Sequence, residues 1–205
     1  MSEKKTILLS CIYLAPIEYY ALMNRGTKVV IEQHDHYIKQ TYRNRCRIYS
    51  ANGVQILSIP VEKPDSPKSL TRDTRIADHG NWRHLHWQAI TSAYNSTPFF
   101  EYYADDFYPF YQKPFRYLFD FNEQLRNLIC SLVGVGSSVS YSESFEVDSK
   151  LGVLDYRELI HPKKKSLRED FEPYYQVFES RFGFIPDLSI IDLLFNMGPE
   201  SIFYL

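Results

Sequence analysis

The sequence predicts an α/β fold: a single domain over residues 1–205, with a short mixed sheet largely from the first half and helices mainly in the second. Three observations predict it. Between Thr6 and Gln33 an apolar β-branched run, a short helical segment and a second apolar run follow one another, the order of a parallel crossover. An Asn52-Gly53 dipeptide joins two alternating runs, which is a hairpin signal. From Asn81 onward apolar residues recur at helical spacing. At 205 residues with 44% hydrophobic and 23% charged, the chain is long and apolar enough to bury a core. No long stretch has the polar composition of disorder.

Taken in order, "TILLSCIYL" is the first strand, ended by Pro16, and "IEYYALMNRG" is a short helix with Gly26 at its C-cap. "TKVVIEQ" is the second strand. Function is expected where such strands end, at Cys11 to Tyr13 and at Glu32 to His36. "NRCRIYSANGVQILSIPV" forms the hairpin, with a type I′ turn at Asn52-Gly53. Alternation in its first arm puts Arg43, Arg45 and Arg47 on one face and Asn44, Cys46 and Ile48 on the other. "EKPDSPKS" reads as an exposed loop. Trp82, Leu85, Ala89 and Ala93 then mark a helix capped by Asn81 or Gly80 and stopped by Pro98. "FFEYYADDFYPFYQKPF", interrupted by Pro109 and Pro114, reads as short helical turns. "RYLFDFNEQLRNLICSLVGVG" is an amphipathic helix ending at Gly134 or Gly136. "SVSYSESF" is open to a strand, and "PKKKSLRED" is a solvated loop. "DLSIIDLLFNMGPES" is a buried helix capped by Asp187 or Ser189, with Gly198 at C′ and Pro199 beyond.

Composition narrows the function. A net charge of -2 argues against a generic nucleic-acid binder. No run approaches the roughly 20 apolar residues of a membrane span. The N-terminal apolar run is too short for a signal peptide, so a cytoplasmic location is expected. Cys11, Cys46 and Cys130 form no CxxC pair, which fits a reducing compartment. Glycine-rich phosphate loops, a GxSxG elbow and a Walker motif are absent from the sequence.

"KQTYRNRCRI", then the Asn-Gly turn, "WRHLHWQAITSAYNSTPFF" and "LSIIDLLFNMGPES" resemble, in that order, the WbqC-like family of bacterial proteins. The resemblance runs through most of the chain, and the C-terminal motif is its most specific piece. That family is associated with surface-polysaccharide gene clusters, which implies a cytoplasmic role near sugar-nucleotide or envelope chemistry. Many members open on Gln-Pro or His-Pro followed by a Tyr-Leu-Pro-Trp-like motif. Here "SCIYLAPIEYY" keeps Tyr13, Leu14 and Pro16 but carries Cys11 and Glu18 in place of the usual types. The stretch from Val139 to Tyr174 is also short for the family.

Candidate site residues follow from both lines. Guanidinium forks suit phosphate or carboxylate, so Lys39, Arg43 and Arg45, with Asn44, are read as an anion-binding arc; the resemblance covers Lys39, Asn44 and Arg45. Arg47 is assigned to solvent. His34 and His36 stand two apart after the second strand and are candidate general bases, with Asp35 or Glu32 to orient them. The same residues offer metal ligands, but no third ligand has diagnostic spacing, and no metal is assigned. His84 and His86 lie about 200° apart on a helix, so they cannot chelate together. His86 falls within a matched motif and is kept as a third candidate base. Tyr13 and Glu32, at the strand ends, are candidate substrate contacts. Cys11 is a weaker candidate nucleophile.

Two functions fit these residues. One is a group transferase with a small anionic donor, nucleotide-linked or acyl. The other is a non-catalytic binding or assembly protein of an envelope pathway that uses the same cationic face. The sequence assigns no cofactor.

Overall fold

The computed structural model describes residues 6–26, 28–63, 66, 69–147 and 152–205. Its fold is mixed α/β. Six strands and six α-helices occur among the described residues: β1 (Thr6–Ser10), α1 (Ile17–Arg25), β2 (Lys28–Glu32), β3 (Arg45–Ser50), β4 (Gly53–Ser58), α2 (Trp82–Tyr94), α3 (Phe100–Gln112), α4 (Leu118–Val133), β5 (Ser138–Tyr141), β6 (Val153–Asp155), α5 (Glu179–Phe182) and α6 (Ile190–Met197). A four-stranded sheet has the order β5-β2-β1-β6 with every pair parallel, and β3 and β4 form a separate antiparallel pair. The parallel and antiparallel parts are therefore two sheets rather than one mixed sheet. Because all four strands run the same way, Ser10, Glu32, Tyr141 and Asp155 end along one edge.

Period-2 alternation explains the sheet's two faces. Ile7, Leu9, Val29 and Ile31 are buried, whereas Leu8, Val30 and Val153 are only half-buried. The buried face receives α1 through Ile17, Tyr20 and Met23. Helix α6, buried along almost its whole length, is the hub of the aromatic core. Phe195 packs against Tyr94, Phe100 and Phe107 at ring separations of 5.2–5.3 Å.

Four local expectations change. Asn52 does not have the positive φ that a type I′ turn demands, whereas Gly53 does (φ 92°). That combination matches a type I turn closed by a left-handed glycine, so the dipeptide marks the hairpin but not the turn type. The aromatic stretch after Pro98 is one 13-residue helix, α3, running through Pro109. Its stripe of Phe100, Tyr103, Phe107 and Tyr111 is buried, and a proline so near the C-terminus forfeits only one hydrogen bond. In α2 it is His86, not Leu85, that turns inward with Trp82, Ile90 and Ala93. Asn81 precedes α2 in a left-handed conformation (φ 48°), with no side-chain capping bond. Gly134 closes α4 as expected, with φ 85° and its N–H on the Cys130 carbonyl.

Gly198, after α6, also has positive φ (57°), and a Cβ there would lie 2.5 Å from the Phe99 ring. Glycine is needed for both reasons. Part of the "EKPDSPKS" loop (Pro64, Asp65, Pro67, Lys68) lies outside the described residues.

Candidate functional site

The carboxyl edge of the parallel sheet gathers several of the sequence-derived candidates, but its charges are paired with one another. Glu32 is 1% exposed. Its Oε2 accepts from Arg157 Nη1 at 3.1 Å, and its Oε1 accepts from Ser142 Oγ and the His34 N–H, both at 2.7 Å. Arg157 also forks onto Asp155 and lies over the Phe145 ring. Burial alone would raise the Asp155 carboxyl, but hydrogen bonds from Arg157 bring it below the ordinary carboxylate value. Arg43, 2% exposed, is committed to Asp35, Glu158 and the Ser10 hydroxyl, and Asn122 holds its carbonyl.

The structure thus brings Glu32, His34 and Arg43 to one edge and spends Glu32 and Arg43 on internal partners. His36 is exposed, its ring 6.3 Å from that of Phe145. Lys39 is exposed in the following loop, Asn44 donates to the Ile59 carbonyl at 2.8 Å, and Arg45 is half-buried at the start of β3. No group of three or more His, Cys, Asp or Glu side chains converges as a metal-ligand set among the described residues.

Tyr13 and His86 lie inside the core, away from that edge. Tyr13 is 0% exposed, and its hydroxyl meets Tyr111 Oη at 2.9 Å and His86 Nδ1 at 3.1 Å. His86 Nε2 faces the Ser58 carbonyl at 3.2 Å. A carbonyl can only accept, so Nε2 carries the proton and Nδ1 accepts from Tyr13. Burial pushes the His86 imidazole down to about 4, so it is neutral and built into a closed chain of hydrogen bonds. Cys11 is equally enclosed, and burial raises its thiol well above the usual value, the opposite of an activated nucleophile.

A different cleft, about 590 Å³, opens between α1, β3, the loop around residues 161–171 and the segment before α6. Its construction explains why these distant stretches meet. Ser189 N–H donates to the Arg47 carbonyl, Ile17 N–H to Leu188 and Ile190 N–H to Ala15, which staples the 187–190 segment across α1 and β3. Pro16 precedes α1 and has no side-chain cap to offer. Asp187 supplies the cap instead: its Oδ1 accepts from the Glu18 N–H at 3.0 Å. Asp187 does so with φ 53°, a left-handed conformation that Asp adopts more readily than most residues. It was read from the sequence as a candidate cap for α6 and proves to cap α1.

The cleft has two chemically distinct walls. Glu18 and Asp187 are both buried. Glu18 Oε2 accepts from Ser166 Oγ at 2.5 Å and the Leu167 N–H at 2.7 Å. Burial, then the neighbouring charge of Glu18, pushes the Asp187 carboxyl up to about 7. Facing these carboxyls are Arg47, Lys164, Lys165 and Arg168, with His161 beside them. Burial lowers the His161 imidazole, whose Nδ1 accepts from the Lys163 N–H at 3.1 Å. Among the described residues no ion pair within 4 Å involves Glu18, Asp187, Arg47, Lys164 or Lys165.

Arg47 is therefore half-buried at a cleft rather than left to solvent, because the stapled 187–190 segment covers its end of the strand. Sequence reasoning passed over Glu18, His161, Lys164, Arg168 and the role of Asp187. Two signals were present: Glu18 as a departure from the family's opening motif, and the dense cations of "HPKKK".

Comparison with known proteins agrees with the motifs. The "Uncharacterized protein Rv1507c" of Mycobacterium tuberculosis (strain ATCC 25618 / H37Rv) is 26% identical over 226 residues, spanning 98% of this chain and 97% of that protein. No solved structure matches. The sequence pattern of the WbqC-like protein family matches residues 11–168, most of the length, which takes in Glu18, Arg47 and His161–Arg168 of the cleft but not Asp187, and the chain belongs to that family.

Proposed function

We propose that the chain is a group transferase of surface-polysaccharide or envelope biosynthesis that takes an anionic donor, nucleotide-linked or acyl, in the cleft between α1 and the 161–171 loop. The observation that carries this reading is the contrast between two sets of cations. Arg43 and Arg157 already neutralise buried carboxylates, whereas Arg47, Lys164 and Lys165 line a cleft with no ion-pair partner within 4 Å among the described residues. Lys164 Nζ donates to the Glu158 carbonyl at 2.7 Å, and both lysines are exposed at the rim; guanidinium and ammonium groups without an acidic partner lining one cavity suit phosphate or carboxylate oxygens. The volume, about 590 Å³, is that of a small-molecule site. Envelope chemistry comes from what the family resemblance implies.

A thermal-shift panel of nucleotide sugars and acyl-CoAs tests this. At least one member should stabilise the protein; a ligand at a hundred times its Kd adds about 2.7 kcal/mol. The Arg47→Ala/Lys164→Ala double variant should lose that stabilisation. A panel in which no member shifts the wild-type transition counts against the proposal. Stabilisation without turnover of any candidate donor favours a binding protein instead.

A further inference from the structure

We infer that the Glu18–Asp187 wall of the cleft binds the amine of an amino-bearing acceptor, with Asp187 taking the proton that frees the nitrogen to attack the donor. The inference rests on the donor reading above and adds the second substrate.

Two buried carboxyls meet at this wall, and no ion pair reaches either within 4 Å among the described residues. Elsewhere among the described residues three buried carboxylates have a guanidinium (Glu32 has Arg157, Asp35 has Arg43 and Glu123 has Arg126), and Asp192 has three neutral side-chain donors in its place, Tyr94, Tyr174 and Gln176. A buried acid pair with no cation within 4 Å is costly, and either protonation of one carboxyl or a bound cation relieves that cost. The wall is also held in place independently of any ligand. Glu18 Oε2 is fixed by the Ser166 hydroxyl and the Leu167 N–H, and Asp187 Oδ1 by the Glu18 N–H. Among the described residues no hydrogen bond reaches Glu18 Oε1, which leaves that oxygen for the acceptor. The Asp187 carboxyl, raised to about 7 by burial and by Glu18, is matched to proton transfer near neutrality.

The step balances as follows. An ammonium docked against both carboxyls gives one proton to Asp187, which later passes it to water. The nitrogen lone pair forms a bond to the donor's electrophilic carbon. The bond from that carbon to the leaving oxygen or sulfur breaks, and its electron pair departs beside Arg47 and Lys164. The second nitrogen proton leaves with the departing group.

Glucosamine and glucose, which differ at one position by amine against hydroxyl, are the probes, with inorganic pyrophosphate reporting on the cationic wall. Saturation-transfer NMR should show glucosamine binding the wild type at least tenfold tighter than glucose. Asp187→Asn and Glu18→Gln should each remove that preference while keeping pyrophosphate affinity within about threefold, which also shows that the variants are folded. Should either variant fail to fold, Ser166→Ala, which leaves Glu18 Oε2 held by the Leu167 N–H alone, should weaken glucosamine and spare pyrophosphate. Equal binding of the two sugars, or a preference untouched by both substitutions, overturns the amine assignment. Glucosamine binding without any pyrophosphate binding refutes the donor reading alone, and binding of neither probe refutes both.

Discussion

Arg157→Ala should lower stability by about 3–5 kcal/mol, the cost of leaving a buried charge without its partner. Among the described residues Arg157 is the one cation paired with both Glu32, which is 1% exposed, and Asp155. Removing it leaves the Glu32 carboxylate with the Ser142 hydroxyl and the His34 N–H but, among the described residues, no countercharge within 4 Å. For a chain of this length the thermal midpoint should fall by on the order of 10 °C. Combining Arg157→Ala with Glu32→Gln should recover a substantial part of the loss, because the orphaned charge goes too. Calorimetry on the single and double variants checks this; an unchanged midpoint for Arg157→Ala would show that the edge network is not structural.

Asp192→Ala should be comparably severe, about 3–5 kcal/mol, because it strands several donors at once. Asp192 Oδ1 accepts from Tyr94 Oη at 3.0 Å, and Oδ2 accepts from Tyr174 Oη at 2.6 Å and Gln176 Nε2 at 2.9 Å. These bonds tie α6 to α2 and to the segment before α5. The pH dependence is specific. Burial raises the Asp192 carboxyl to about 6, above its value of 3.8 in the unfolded chain. The folded state therefore holds the proton more tightly, and the group's contribution declines as pH rises from about 4 through about 6. Denaturant titrations should accordingly show a larger gap between wild type and Asp192→Ala at pH 5 than at pH 7. A gap that widens with pH would contradict this sign.

The fold was legible where local pattern and tertiary packing agree. Apolar runs identified β1 and β2, alternation about Asn52-Gly53 identified β3 and β4, and the left-handed glycine at 134 ended α4 where expected. Legibility failed where a distant contact overrode a local rule. Pro109 reads as a breaker, yet the stripe from Phe100 to Tyr111, packed in part on Phe195, holds α3 together. The site divides the same way. Glu32 and His34 stand near a strand end because strand order is local information. That Arg43 is neutralised by Asp35 and Glu158, and that Asp187 caps α1 across 169 positions, depends on partners no spacing rule connects. Arg45 and Arg47 share a face in β3, but only the staple from Ser189 gives Arg47 a cleft.

The most direct test of the anion cleft is isothermal titration of inorganic pyrophosphate into three proteins: wild type, Arg47→Ala and Arg45→Ala. Two arginines on the same strand face are then compared, one lining the cleft and one outside it. Loss of a charge-assisted contact is worth about 1.5–3 kcal/mol, so Arg47→Ala should weaken binding by roughly 10- to 100-fold. Arg45→Ala should stay within about threefold of wild type. Loss of binding on Arg45→Ala with full affinity retained by Arg47→Ala would place the anion on the N-terminal arc instead and contradict the cleft assignment.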